Sequence, residues 1–168
     1  MDKALQHQRF NEILATHKGI IFKVARSYCH DETDRQDLIQ EILIQIWQSL
    51  HTYNTKYAIT TWLYRVSLNT AISHYRKSKT RGKYFIALEP GFDISTFLDN
   101  TEKEQNLNLL EQFISELKEI DKALMLLYLE DKNHAEISEI LGLSISNIST
   151  KIARIKEKLK SRFSLNKI

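Results

Sequence analysis

The stretch DLIQEILIQIWQSL, residues 37–50, constrains the fold of this chain more than any other segment. Its apolar residues recur at alternating spacings of one and three, which places them on one face of an α-helix. That face consists of Leu38, Ile39, Ile42, Leu43, Ile46, Trp47 and Leu50. The pattern predicts a helix that packs one side against a core.

The opposite face of this predicted helix is acidic and rich in amides. It consists of Asp37, Gln40, Glu41, Ile44, Gln45 and Gln48. An apolar residue centred on a polar face, as Ile44 is, can anchor a partner protein. A single exposed isoleucine is also an ordinary feature of protein surfaces. The segment alone leaves both interpretations open.

Glycine and proline are too scarce for a fold with many tight turns. The 168 residues include 4 Gly and 1 Pro, and helical periodicity returns along most of the chain, so we predict an all-α fold. Residues 79–104 hold the proline and two of the glycines and keep no lasting period, which predicts a linker. It would join two small helical domains, residues 1–78 and 105–168, and could reach about 80 Å if extended.

Several residues suggest where helices begin or bend. Residues 4–30 predict a helix or a helix pair, with Gly19 as a point where it could bend. Thr33 or Asp34 could cap the helix that contains residues 37–50. Two further N-caps are predicted at Thr61 and Asp121.

Charge is distributed unevenly although the net charge is only +3. Trp62 to Leu88 holds six basic residues and no acid, and Lys151 to the end holds seven basic residues and one acid. Glu89 to Asp121, between them, carries nine acids against two lysines. Two basic segments separated by an acidic one indicate two contacts with a polyanion such as nucleic acid. Two solvated helix faces would give the same pattern.

The segment WLYRVSLNTAISHYRK, residues 62–77, predicts a helix buried on two sides. One clear polar strip remains, made of Arg65, Asn69, Ser73 and Arg76, and Lys77 begins a basic run after it. Arginine and lysine can hold phosphates and asparagine can bond a base edge. Tyr53 and Tyr57, in the preceding loop, could anchor it in the core or stack on unpaired bases.

The segment HAEISEILGLSISNISTKIARIKEKLK, residues 134–160, predicts a helix-turn-helix. The first helix stops at Gly142, which suits a left-handed C-cap, Leu143 fills the turn and Ser144 can cap the second helix. Five residues are expected to be buried on the second helix: Ile145, Ile148, Ile152, Ile155 and Leu159. Its exposed face would be Ser146, Asn147, Thr150, Lys151, Arg154 and Lys158. Such a polar, basic helix can enter a major groove, although a plain helical hairpin fits the spacing too.

No pattern in the sequence indicates catalysis. The histidines lack the spacing of metal ligands, and we find no phosphate loop, nucleophile motif or paired catalytic carboxylates. We expect no catalytic residue, metal, cofactor or small-molecule substrate. A single cysteine, Cys29, fits a reducing compartment and is expected to be a small buried hydrophobe. Without a signal-peptide core or a long apolar run, we expect a cytoplasmic protein that is not inserted in a membrane.

Taken together, three stretches resemble the extracytoplasmic-function (ECF) sigma factors, the two-domain subunits that direct bacterial RNA polymerase to promoters. They are DLIQEILIQIWQSL, TTWLYRVSLNTAISHYRK and ALMLLYLEDKNHAEISEILGLSISNISTKIARIKEKLK. Each stretch is degenerate alone, but their order and separation are specific. The resemblance covers most of the chain outside the linker and the extreme N-terminus.

The resemblance implies a role for each stretch. In the helix that contains residues 37–50, one face would dock on the clamp helices of the largest subunit of core RNA polymerase. That face consists of Asp37, Gln40, Glu41 and Ile44. The loop 52–60 and the helix 62–77 match the part that reads and melts the −10 element of promoter DNA. The helix-turn-helix matches the domain that reads the −35 element. Members of this family are typically inhibited by an anti-sigma factor, so we expect one here.

Some positions depart from the family pattern. Leu68 stands where an arginine is usual, before Asn69. Ser73 and Ser149 stand where an acidic residue and a lysine are common. These departures affect the choice of promoter sequence more than the overall role.

Two other classes of protein would share some of these features. A stand-alone helix-turn-helix repressor or activator would bind operators as a dimer and would need a self-complementary apolar surface. A pure adaptor would use its basic segments to bind acidic proteins. Promoter elements about 25 base pairs apart lie about 85 Å apart on B-DNA. Two domains on an extendable linker can span that distance, whereas a compact single-domain repressor cannot.

Overall fold

The computed structural model describes residues 2–81 and 102–165. Within these two ranges the chain forms helices and no strand, which confirms the predicted all-α class. In chain order the helices are α1 (Lys3–Tyr28), α2 (Glu32–Ser49), α3 (Ile59–Thr80), α4 (Glu102–Ser115), α5 (Glu119–Leu129), α6 (His134–Leu141) and α7 (Ile145–Leu165). A 3₁₀ turn, Leu50–Thr52, follows α2.

The first three helices pack around a common core. The predicted apolar stripe of α2 supplies Leu38, Ile42 and Ile46, all fully buried. Burying three such side chains stabilises the fold by about 5–9 kcal/mol. The residues of α1 and α3 that complete this core are Ile21, Val24, Ala25, Tyr28, Leu63, Tyr64, Leu68, Ala71 and Ile72. Cys29 is buried, as expected.

The helix ends differ from several predictions. Helix α1 runs without interruption through Gly19, so the segment predicted as a helix or a helix pair is one helix. The N-cap of α2 is Asp31, whose carboxylate accepts a hydrogen bond from the Asp34 N–H at 3.0 Å, rather than Thr33 or Asp34. The side chain of an N-cap accepts a hydrogen bond from the N–H two or three residues later. Asp31 is the acceptor in this pair and Asp34 supplies the N–H, so Asp31 is the cap.

The caps predicted at Thr61 and Asp121 are also wrong. Helix α3 begins at Ile59, so Thr61 lies inside its first turn and is buried. Helix α5 begins at Glu119 after Lys118, and Asp121 falls in its first turn. Neither helix has a side-chain cap, because these first turns are stabilised by contacts with the rest of the protein rather than by a local acceptor.

In the second part of the chain, α4, α6 and α7 pack around α5. Six consecutive residues of α5, Lys122 to Leu127, are buried. A helix that is buried on all sides needs neighbours all round it, and α5 contacts α4, α6, α7 and also α3. Helix α6 packs on α7 and, like α5, on α3.

The two predicted domains are therefore in direct contact. Their buried side chains form one continuous cluster from α1 to α7. Helix α3 ends at Thr80 and α4 begins at Glu102, so each extends a little way into the predicted linker 79–104. Most of that linker, residues 82–101, lies outside the described residues.

Candidate functional site

Helix α2 presents its polar face on the side opposite its buried stripe. Asp37 and Gln40 are exposed, Glu41 is half-buried, and Ile44 is 51% exposed. The isoleucine therefore stands in solvent between polar side chains, as the sequence predicted. Its contact with a partner stays a prediction.

His74 connects this face to α3. Its Nδ1 lies 3.1 Å from Glu41 Oε2, and the histidine is half-buried while its Nε2 has no partner among the described residues. The pair holds one carboxylate of the polar face in place. Sequence reasoning missed this role, because the two residues are 33 positions apart and only packing of α2 on α3 brings them together.

The polar strip of α3 lies in solvent along its whole length. Arg65, Asn69, Ser73, Arg76 and Lys77 are all exposed. The strip keeps this position because the other sides of α3 are buried, as the two-sided periodicity predicted. Arg76 has a partner on another helix, because its Nε donates a hydrogen bond to Glu119 Oε1 of α5 at 3.1 Å.

A cavity of about 330 Å³ opens where the strip meets the loop after α2. Tyr53 and Trp62 form aromatic walls, with ring centroids 5.3 Å apart, and Arg65 and Asn69 of the strip line it as well. The Tyr53 hydroxyl donates to the Tyr57 carbonyl at 3.0 Å, which fixes the loop. Aromatic faces beside an asparagine suit a planar, polar guest such as a nucleobase.

The helix-turn-helix has the predicted turn. Gly142 adopts φ +70°, the left-handed conformation that favours glycine. Ser138 Oγ donates to the Leu143 carbonyl at 2.6 Å, and Ser144 Oγ accepts from the Asn147 N–H at 3.1 Å, so Ser144 caps α7 as predicted. The start of α6 is fixed by a reciprocal pair of bonds between Asn133 and its third following residue.

Helix α7 buries one stripe and exposes the other, with three corrections. Ile148, Ile152 and Ile155 are buried. The exposed face contains Ser146, Asn147, Thr150, Arg154 and Lys158.

The corrections concern Ile145, Lys151 and Leu159. Leu159 packs against the core but is half-buried rather than buried. Ile145 is 52% exposed rather than buried, because Leu143 packs against the core from the turn and leaves the first residue of the helix outside. Lys151 is half-buried rather than exposed, and its Nζ donates to Asp121 Oδ1 at 3.1 Å.

The described ranges contain no group of three or more His, Cys, Asp or Glu side chains that could hold a metal ion. Among the helices at residues 2–81 and 102–165, none combines the length and the apolar character needed to cross a membrane.

Comparison with known families assigns both halves of the chain. The family model for Sigma-70 region 2 matches residues 13–81, which include α2, the loop and α3. The model for Sigma-70 region 4 matches residues 107–159, which include the helix-turn-helix. The chain belongs to the ECF sigma factors. It is a transcription initiation factor that binds core RNA polymerase and promoter DNA.

Relatives of this ECF sigma factor match over nearly its full length. RNA polymerase sigma factor CnrH of Cupriavidus metallidurans is 26% identical over 89% of this chain and 84% of its own. ECF RNA polymerase sigma factor SigW of Bacillus subtilis is 24% identical over 91% of this chain and 88% of its own. RNA polymerase sigma factor SigV of the same species is 26% identical, covering 84% and 82%.

Two solved structures share the fold. CnrH in complex with the cytosolic domain of CnrY overlays with a TM-score of 0.66 at 19% identity, covering 95% of this chain and 90% of that chain. The sigma factor RpoE from Bartonella quintana, in complex with the anti-sigma factor NepR, gives a TM-score of 0.68 at 16% identity, covering 94% and 98%.

Proposed function

We propose that the polar face of α2 is the surface through which this sigma factor docks on the clamp helices of the polymerase largest subunit. Asp37, Gln40 and Glu41 would supply acidic and amide contacts around an apolar anchor, Ile44. The observation that supports this is the 51% exposure of Ile44 on a helix whose other side is buried. An apolar side chain exposed to water is unfavourable in the free protein, and a partner that covers it removes this free-energy cost.

We infer that the strip on α3 and the cavity beside it read and open the −10 element. Arg65, Ser73, Arg76 and Lys77 would follow the DNA backbone along the strip. A base flipped out of the duplex would enter the 330 Å³ cavity, stack on Tyr53 and Trp62 and bond Asn69. Unstacking a base costs a few kcal/mol, which stacking at about 1–3 kcal/mol per base can offset.

We also propose that the exposed face of α7 reads the −35 element. Ser146, Asn147 and Thr150 lie in its first turns, where a recognition helix meets base edges. Arg154 and Lys158, further along, would contact phosphates. Lys151 is left out of this set, because its Nζ donates to Asp121 Oδ1.

A protein inhibitor is part of the proposal. RpoE was solved with the anti-sigma factor NepR and CnrH with the cytosolic domain of CnrY. We propose that an anti-sigma factor likewise controls this chain. We further propose that the protein acts in the cytoplasm and has no enzymatic activity of its own.

Asn69→Ala tests the base-binding cavity. Asn69 is exposed, so its replacement leaves the core intact, yet it lines the cavity. Losing a good side-chain bond to a base costs about 1–3 kcal/mol. We expect promoter opening to fall about 5- to 150-fold, measured as permanganate reactivity of unpaired thymines on promoter DNA that the holoenzyme selects from a random pool.

Ser73→Ala is the matched control. Ser73 lies one turn further along the same strip and does not line the cavity. Its replacement should change opening far less. Equal opening by wild type and Asn69→Ala would contradict the assignment of the cavity.

A further inference from the structure

His74 is a polar side chain packed within the contact between α2 and α3. Its side chain is only 17% exposed, and the two helices pack directly on one another. Three small, buried residues share its face of α3, because the four positions recur at spacings of four, three and four: Ser67, Ala71 and Ser78. Small side chains above and below leave room for an imidazole between closely packed helices. Packing therefore restricts the orientation of the ring.

The two nitrogens of this imidazole have different surroundings. Nδ1 lies 3.1 Å from Glu41 Oε2 of α2, and the tautomer with a proton on Nδ1 donates a hydrogen bond to that carboxylate. Nε2 is buried and has no hydrogen-bond partner within residues 2–81 and 102–165. A buried polar atom without a partner destabilises a fold. Packing of α2 on α3 therefore gives no reason for a histidine here, whereas the bond to Glu41 does.

Glu41 belongs to the polar face of α2 that includes the exposed Ile44. Asp37 precedes Glu41 by four residues and Ile44 follows it by three, so the three side chains are neighbours on the helix surface. The Glu41 side chain is 35% exposed. Its Oε2 is the atom that faces His74, so the carboxylate can still offer Oε1 to a cationic group of a partner.

We propose that His74 is a positioning residue for polymerase docking, which holds the Glu41 carboxylate in the orientation that binds a cationic group of the polymerase. This role rests on the proposed docking face of α2. A neutral imidazole fixes the carboxylate without cancelling its charge, so the full negative charge of Glu41 remains for the partner. A glutamate that is held in advance also loses less side-chain freedom when the complex forms.

His74→Leu in the full-length chain tests the positioning role. Ordering one long side chain on binding changes affinity by about 2- to 10-fold. We expect His74→Leu to bind purified core RNA polymerase more weakly by this factor at pH 8, where an ordinary imidazole is neutral. The substitution then changes no charge, so the association rate should stay as in wild type and the loss should be faster dissociation.

Two further variants show whether the hydrogen bond itself matters. The side-chain amide nitrogen of asparagine falls close to the place of the imidazole Nδ1, so His74→Asn keeps a donor for Glu41 and should bind core polymerase nearly as wild type does. His17→Leu is the matched control. His17 is a half-buried histidine of α1 outside the polar face of α2, and its replacement should leave both rates unchanged.

Thermal unfolding, followed by circular dichroism, separates positioning from stability. His74→Leu removes the buried nitrogen that has no partner, so its unfolding temperature should equal or exceed that of wild type while its binding is weaker. An unfolding temperature that falls together with binding in His74→Leu, and is restored with it in His74→Asn, would overturn the proposal. If leucine does not fit between the helices, His74→Ala removes the same donor and should show the same faster dissociation.

Glu41→Ala shows whether His74 acts through Glu41. With no carboxylate left to position, adding His74→Leu to Glu41→Ala should cause no further loss of binding. An equal loss in both backgrounds would overturn the positioning role, and so would wild-type binding by His74→Leu beside weaker binding by Glu41→Ala. Wild-type binding by both Glu41→Ala and Ile44→Asp would contradict the proposed docking face instead.

Discussion

Two neighbouring basic residues on α7 show how position changes the role of a charge. Lys151 and Arg154 both fall on the face that the sequence predicted to meet DNA. Arg154 is exposed, whereas Lys151 is half-buried and donates to Asp121 at 3.1 Å. The first can give its full charge to a phosphate, while the second stabilises the contact between α5 and α7.

We expect Arg154→Ala and Lys151→Ala to differ. Arg154→Ala should weaken promoter binding by the holoenzyme and reduce the slope of log affinity against log salt by about one, because one phosphate contact is lost. It should leave the thermal unfolding of the free protein unchanged. Lys151→Ala should lower the unfolding temperature, because it leaves the partly buried carboxylate of Asp121 without its partner.

Salt titrations of promoter binding and thermal scans by circular dichroism provide these measurements. Lys160→Ala serves as a control, since Lys160 is exposed and pairs with Glu157 of its own helix at 3.8 Å. An unchanged salt slope for Arg154→Ala would contradict the assignment of α7 as the −35 reader.

At the scale of elements, the turn before α7 depends on a single backbone conformation. Gly142 has φ +70°, and a Cβ added there would meet nothing within 4 Å. Gly142→Ala therefore destabilises the protein only because alanine must adopt the left-handed backbone conformation, which costs about 1–2 kcal/mol. We expect the free energy of unfolding, from urea titration, to fall by that amount.

Gly19→Ala is a control for which we expect the free energy of unfolding to change in the opposite direction. Gly19 lies inside α1 and also has open space around it. Alanine is the better helix former by about 0.5–1 kcal/mol, so this variant should gain stability. A loss at both sites, or at neither, would show that the conformation of Gly142 does not set the stability of the turn.

The sequence predicted the helices better than it predicted their ends. Periodicity identified the buried stripes of α2 and α7 and both buried sides of α3, since each depends only on spacing along one helix. The caps at Thr61 and Asp121 were wrong, because the first turns of α3 and α5 are stabilised by tertiary packing instead of a local acceptor. The pair His74–Glu41 and the bond Lys151–Asp121 join different helices, and no spacing within a segment could reveal them.

At the scale of the whole molecule, the two domains share one core. The sequence predicted two helical units and said nothing of how they meet. Their contact is made by α5 and α6, which both pack on α3, and by Lys122 of α5, whose burial depends on rings from α1 and α3. The arrangement leaves the polar face of α2 in solvent.

We propose that this sigma factor docks on core RNA polymerase through the polar face of α2. The most direct test measures binding of the labelled full-length protein to purified core RNA polymerase, with a housekeeping sigma factor as competitor, for wild type, Ile44→Asp and Gln8→Ala. Gln8, exposed on α1 and bonded to Glu12 of its own helix, is the matched surface control. We predict tight, competable binding by wild type and Gln8→Ala, and binding at least tenfold weaker for Ile44→Asp with unchanged helicity, since an unfavourable charge at an anchor costs about 2 kcal/mol or more. Equal binding by all three would contradict the docking face, and no binding by folded wild type would contradict the sigma role itself.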